Sequence, residues 1–249
     1  LPNASPTILE DLIARVAKGD RRAFDTLYDT TSAGLNALCL SVLRDRGAAE
    51  DVLEQVYVGI WEQAGRFPGS GLSPMAWLAT MARDKAMERA TPAAPPTGGP
   101  ALDGIDMVRA AYLHGIGMAG LAQSQGLPAE AVRLELHDGL ARINPLADGG
   151  PDDMLAAEMA LGLADRRATD PALAERMRDW QEHLSRFAGD LTPVMAPARA
   201  RQRIRESLGH GKAPLSVDPL EPASRWRGTG GVLAVVLLIG GAAWYFLTR

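Results

Sequence analysis

Apolar residues recur at every third or fourth position through most of the chain, the spacing of helices that bury one side. SPTILEDLIARVAKG offers Ser5 as a cap and Pro6 at the first helical position. GDRRAFDTLYDTTSAGLNALCLSVL continues after Asp20, with Phe24, Leu27 and Tyr28 in an apolar stripe. GAAEDVLEQVYVGIWEQAGRF sets Val52, Val56, Ile60 and Trp61 on one side, with Glu50, Asp51, Glu54 and Gln55 nearer the other. That division predicts a helix that packs through one face and displays an acidic one. LSPMAWLATMARDKAMERA starts at Ser73 and Pro74 and buries Trp77, Leu78 and Met81, leaving Arg83, Lys85 and Arg89 to solvent. No useful run of strand alternation competes, so the pattern predicts an all-α protein.

Proline and glycine divide these helices into modules. A helical domain over residues 1–90 is followed by a linker over 91–106, containing TPAAPPTGGP. Residues 107–144 read as a helix-turn-helix: MAGLAQSQ is the brace, GLP the turn and AEAVRLELHDGLARI the second helix. Gly126 closes the turn, Pro128 suits the first helical position, and Val132, Leu136, Leu140 and Ile143 share a face. A second break covers 145–152, and 153–208 returns to three or four helices, with Asp170 and Pro171 a cap-and-start pair. A polar tether over 209–227 leads to GTGGVLAVVLLIGGAAWYFL, residues 228–247, which carries no charge and is long enough to cross a bilayer. Arg225 and Arg227, with Arg199, Arg201, Arg203 and Arg205 upstream, favour a cytoplasmic amino-terminal side. The expectation is a single-pass protein of the bacterial inner membrane with its soluble domains in the cytoplasm.

Charge and chemistry narrow the function. A formal net charge of −4 gives no global attraction to phosphate. The second helix of the helix-turn-helix carries Glu130, Glu135 and Asp138 against Arg133 and Arg142, so its own electrostatics oppose docking on DNA. One cysteine, Cys39, excludes an intrachain disulfide and a multi-cysteine zinc site, and reads as a buried small side chain. His114, His137, His183 and His210 lie far apart without metal-ligand spacing, and no phosphate-cradling glycine loop precedes a lysine. No catalytic, cofactor-binding or metal-binding residue stands out, and no enzyme is expected.

Three quoted segments carry a family resemblance. GDRRAFDTLYD, AEDVLEQVYVGIWEQAGRF and PMAWLATMARDKAMERA together resemble region two of the extracytoplasmic-function sigma factors, over roughly Leu9 to Ala90. The resemblance implies that the helix bearing Asp51, Gln55 and Trp61 faces core RNA polymerase, and that Arg83, Lys85 and Arg89 lie near nucleic acid. YLHGIGMAGLAQSQGLPAEAVRLELHDGLARI resembles region four in degenerate form: Leu134 and Glu135 replace a basic segment, and Asp138 a later basic position. Asp84 and Ala90 depart from region two in the same direction. Residual DNA contact is therefore assigned to Arg83, Lys85, Arg89 and Arg133, and promoter recognition is expected to be weak or lost.

Residues 153–208 resemble the helical domain of zinc-free, membrane-anchored anti-sigma factors of the RskA type. Met159, Leu163, Leu173, Met177 and Trp180 are the candidates for sigma binding or domain packing. The implied protein is a membrane-tethered sigma/anti-sigma fusion that regulates bacterial transcription initiation through protein–protein binding. Its partners would be the sigma-like domain in cis or a separate sigma factor, core RNA polymerase and the lipid bilayer. Two alternatives stand beside it: an active sigma factor held at the membrane, and a helical accessory subunit of an unrelated membrane complex.

Overall fold

A computed structural model describes residues 5–91, 101–165 and 170–210. All regular structure among them is helical: α1 (Pro6–Val16), α2 (Arg21–Leu43), α3 (Arg46–Gln63), α4 (Pro74–Arg89), α5 (Gly104–His114), α6 (Met118–Gln125), α7 (Ala129–Ile143), α8 (Pro151–Leu161), α9 (Pro171–Gly189) and α10 (Ala198–Ser207), with a 3₁₀ turn at Ala64–Gly69. Local chemistry sets many of the starts. The side chains of Asp20, Asp45, Ser73, Asp103 and Asp170 accept hydrogen bonds from first-turn amides, and Pro6, Pro74, Pro151 and Pro171 occupy the position where a missing N–H costs nothing.

Helices α1 to α4 close around Leu9, Ile13, Leu27, Leu38, Leu53, Ile60 and Leu78, all at most 1% exposed. In the middle of that core the Thr31 hydroxyl donates to the Leu27 carbonyl at 2.7 Å and lies 2.6 Å from the Tyr57 hydroxyl, which can donate to it, so both buried polar groups are satisfied. Burial pushes the Tyr57 hydroxyl far above its usual pKa and the Cys39 thiol up to about 12, which keeps both neutral. Cys39 is the fully buried small side chain that its apolar neighbours predict.

The helix-turn-helix folds with the segments read from sequence, MAGLAQSQ as α6 and AEAVRLELHDGLARI as α7. Gly126 takes φ +64° at the turn, a conformation glycine adopts without strain. Pro128 differs from expectation: its ψ of 150° makes it the cap residue, one place before the helix. Helix α7 is braced by α5, which begins at Gly104 inside the stretch read as linker. The two backbones touch where Gly104 faces Gly139; a Cβ on Gly139 would lie 2.2 Å from the Gly104 carbonyl.

Residues 153–208 supply three helices, the first starting two residues early at Pro151. Trp180, Leu184 and Phe187 of α9 join the same hydrophobic core as α1 to α8. The C-terminal helices therefore pack on the sigma-like part rather than forming a separate body.

Membrane anchorage is the main correction. Among the described residues no helix is long and apolar enough to cross a membrane, and residues 228–247 lie outside them, as do most of the linker and the tether. The likeness to membrane-anchored RskA-type anti-sigma factors, the transmembrane helix of the expected fold, the membrane-tethered fusion, the membrane-held sigma factor, the membrane-complex subunit, the bilayer partner and the inner-membrane location all rested on that span, and none is carried further. The arginines read as its upstream flank have another setting, described next.

Candidate functional site

Helix α10 has the sequence ARARQRIRES. Ala200 and Ile204, four residues apart, are at most 1% exposed and form a narrow apolar spine, with the partly buried Leu208 one turn on. Arginines at 199, 201, 203 and 205 flank that spine, so a helix seated by it sends cations to both sides. The seat is the acidic face of α3 together with the start of α2.

Each arginine meets a carboxylate there. Arg199 Nε donates to Glu50 Oε1 at 2.6 Å and Oε2 at 2.7 Å. Arg203 reaches Asp51 at 2.9 Å and Glu54 at 2.8 Å. Arg201 pairs with Asp29 at 2.7 Å and lies over the Tyr28 ring, and Arg205 pairs with Asp25 at 2.8 Å. Ser207 donates to Glu54 at 2.7 Å. Beyond the helix, His210 stands edge-on to Trp61, with ring centroids 4.4 Å apart. Hydrogen bonding to Glu50 and to Asp51 raises the Arg199 and Arg203 guanidinium pKa values above their usual level.

This geometry revises the sequence reading of α3. Glu50, expected on a solvated face, is 2% exposed beneath Arg199. Of the three residues assigned to polymerase, Asp51 is held by Arg89 and Arg203, Trp61 is partly covered by His210, and Gln55 remains exposed. Sequence reasoning missed the partner because alternating arginines ahead of an apolar run suit a membrane flank equally well. The spine of Ala200, Ile204 and Leu208 was the available signal.

The candidate DNA residues are also engaged. Arg83, expected in solvent, is 1% exposed. Its guanidinium donates to the carbonyls of Tyr112 (2.9 Å) and Ala111 (3.3 Å) at the end of α5 and of Leu161 (2.6 Å) and Ala160 (3.3 Å) at the end of α8. Helix C-termini leave carbonyls unsatisfied and carry partial negative charge, so one planar cation serves two helix ends. Lys85 pairs with Glu88, Arg89 with Asp51, and Arg133 with both Glu130 and Glu158. Arg142 of α7 lies against Asp138 and Asp103.

The packing candidates separate by burial. Trp180 is fully buried and donates its indole N–H to Asp153 at 2.9 Å, and Met159 is 2% exposed. Leu163, Leu173 and Met177 are half-buried at the edge of the core. Helix α9 also reaches α4 through Glu182, which accepts the Ser73 N–H at 2.8 Å, and α5 through Arg109, which lies over Phe187 and pairs with Asp190. Among the described residues no group of three or more His, Cys, Asp or Glu is placed to hold a metal ion.

Residues 27–91 match the Sigma-70 region 2 family. The ECF RNA polymerase sigma factor SigK of Mycobacterium ulcerans (strain Agy99) is 37% identical over 81 residues, 32% of this chain and 43% of that protein. Its counterpart in Mycobacterium sp. (strain KMS) is 39% identical over 83 residues, 33% and 43% respectively, and that of Mycobacterium bovis (strain BCG / Pasteur 1173P2) 38% over 81. The chain thus spans less than half the length of the curated relatives it matches. No solved structure matches. The matched stretch holds α3 and α4 and most of α2, and its likeness is to RNA polymerase sigma factors, which are transcription regulators rather than enzymes.

Proposed function

We propose that the protein regulates transcription initiation through protein–protein contacts, with a sigma region 2-like module held closed by its own C-terminal helices. The observation that carries this reading is the seat of α10: Arg199 and Arg203 occupy Glu50, Asp51 and Glu54 on α3, the helix that the sigma resemblance assigns to core RNA polymerase. A covered face does not compete for polymerase, and covering it in cis gives α10 an effective concentration of the order of millimolar. Helices α8 to α10 thus act on the sigma-like module from within the same chain.

Promoter contact in this state is weak or absent. Arg83 is turned into the core, and Lys85, Arg89 and Arg133 each face a carboxylate, so the cations that the resemblance assigns to DNA are already engaged within the chain. The test is binding of the full chain to core RNA polymerase, with and without the paired change Arg199→Glu and Arg203→Glu. The wild-type chain should bind at least about tenfold more weakly than the reversed variant. Equal binding by the two would sink the reading.

A further inference from the structure

Residues 190–197, which join α9 to α10, cross the middle of α2 as a mostly exposed strap. Two hydrogen bonds fasten it there. The Val194 N–H donates to the Ala33 carbonyl at 3.0 Å, and the Asn36 side-chain amide donates to the Val194 carbonyl at 3.1 Å. Between the strap and the helices is a cavity of about 220 Å³, bounded by Leu40 of α2, by Arg46 and Ala49 at the start of α3, and by Met195. That is room for about seven water molecules at about 30 Å³ each, which limits any ligand to a small one.

The polar groups around this cavity are incompletely matched. A carbonyl can only accept, so the bond to Val194 puts the Asn36 amide nitrogen on the strap and leaves Oδ1 as its other end. Asn36 is 6% exposed, and its Oδ1 accepts no hydrogen bond among the described residues. Arg46 meets no carboxylate among them either: Asp45 accepts the Ala48 N–H at 2.7 Å, and Glu50 is held by Arg199. The strap also leaves apolar surface in water, with Val194 38% and Met195 85% exposed. An acceptor, a cation at a helix start and an apolar wall thus face one small space.

We propose that this cavity binds a free aliphatic amino acid of about the size of valine or leucine. Its carboxylate pairs with Arg46 where the positive end of the α3 dipole adds to the attraction. Its ammonium donates to Asn36 Oδ1, and its side chain lies against Leu40, Ala49 and Met195. The ligand joins α2 and α3 to the strap. Because the strap continues at Ala198 into α10, it also resists lifting of that helix. The site does not rest on what α3 binds.

Isothermal titration of the full chain with L-leucine should give a Kd of about 1 mM or tighter. 4-Methylpentanoate, which lacks the ammonium, and 3-methylbutylamine, which lacks the carboxylate, should each bind at least about tenfold more weakly, as should L-leucine to Arg46→Ala. Arg46 is exposed, so that variant leaves the core intact. No binding of L-leucine, or equal binding by the amine or by the variant, would overturn the proposal. Hydrogen exchange places the ligand: at ten times its Kd, amides of Val194 and Met195 should exchange about tenfold more slowly, with those of α10 slowing in step. Unchanged exchange at Val194 and Met195 would put the ligand elsewhere and overturn the site; slowing there without slowing in α10 would overturn the hold on that helix.

Discussion

Arg199 places its guanidinium on Glu50, a carboxylate left only 2% exposed, from a helix that begins almost 150 residues later in the chain. The relationship is unequal. Arg199 is largely in water and can leave without cost to itself, whereas Glu50 has lost its solvent and depends on the bond.

Arg199→Ala should therefore loosen α10 more than Glu50→Gln does. The first strands a buried charge; the second removes the charge and keeps a hydrogen-bonding acceptor. Amide exchange across 198–207 in the two variants measures the order, and a reversed order would mean that Glu50 draws little from the pair.

Arg83→Ala should destabilise the whole described fold by about 2–4 kcal/mol, because four carbonyls at two helix ends lose their donor and the core gains a void. Arg83→Lys should recover only part of that, since an ammonium cannot span α5 and α8 as a planar fork does. Urea unfolding followed by circular dichroism gives both numbers.

Gly139→Ala should cost about 2–4 kcal/mol, as the added methyl has nowhere to go against the Gly104 backbone at 2.2 Å. Gly126→Ala, which meets no atom within 4 Å but must hold φ +64°, should cost only about 1–2 kcal/mol. Thermal melts of the two variants separate a steric cost from a conformational one.

Acid should weaken the end of the α10 contact. Burial, and then the nearby Arg21, hold the His210 imidazole below its ordinary pKa of 6.5; Asp25 opposes this and Arg205 adds to it. The docked state thus favours neutral His210: its contribution is present above 6.5 and is lost as pH falls through that value toward the lower docked pKa. Exchange at residues 205–210 should rise from about pH 7.5 to about pH 5.5 beyond the intrinsic rate change, and His210→Asn should remove that rise.

What could be read from the sequence was local. Segment boundaries at α6 and α7 follow from Gly126 and from the spacing of Val132, Leu136 and Leu140, and the starts of α4 and α9 from Ser73–Pro74 and Asp170–Pro171, because caps and periodicity act within a few residues. Arg83 was misplaced for the opposite reason. Its acceptors lie 28 to 78 residues away, and a lone arginine on a helix has the same appearance whether it meets water or two helix ends. Glu50 and the α10 arginines failed together: each side supplied half of a pairing whose other half is distant, so the acids read as a solvated face and the bases as a membrane flank.

The order of these elements along the chain also sets a clock. Synthesis finishes α4 at Arg89 and reaches the end of α10 only at Ser207. At about 5–20 residues per second, the ribosome leaves Glu50, Asp51 and Glu54 bare for roughly 6–24 s before their cover exists. A nascent chain is thus open before it is ever closed, and any partner that reaches α3 during translation meets it without having to displace anything.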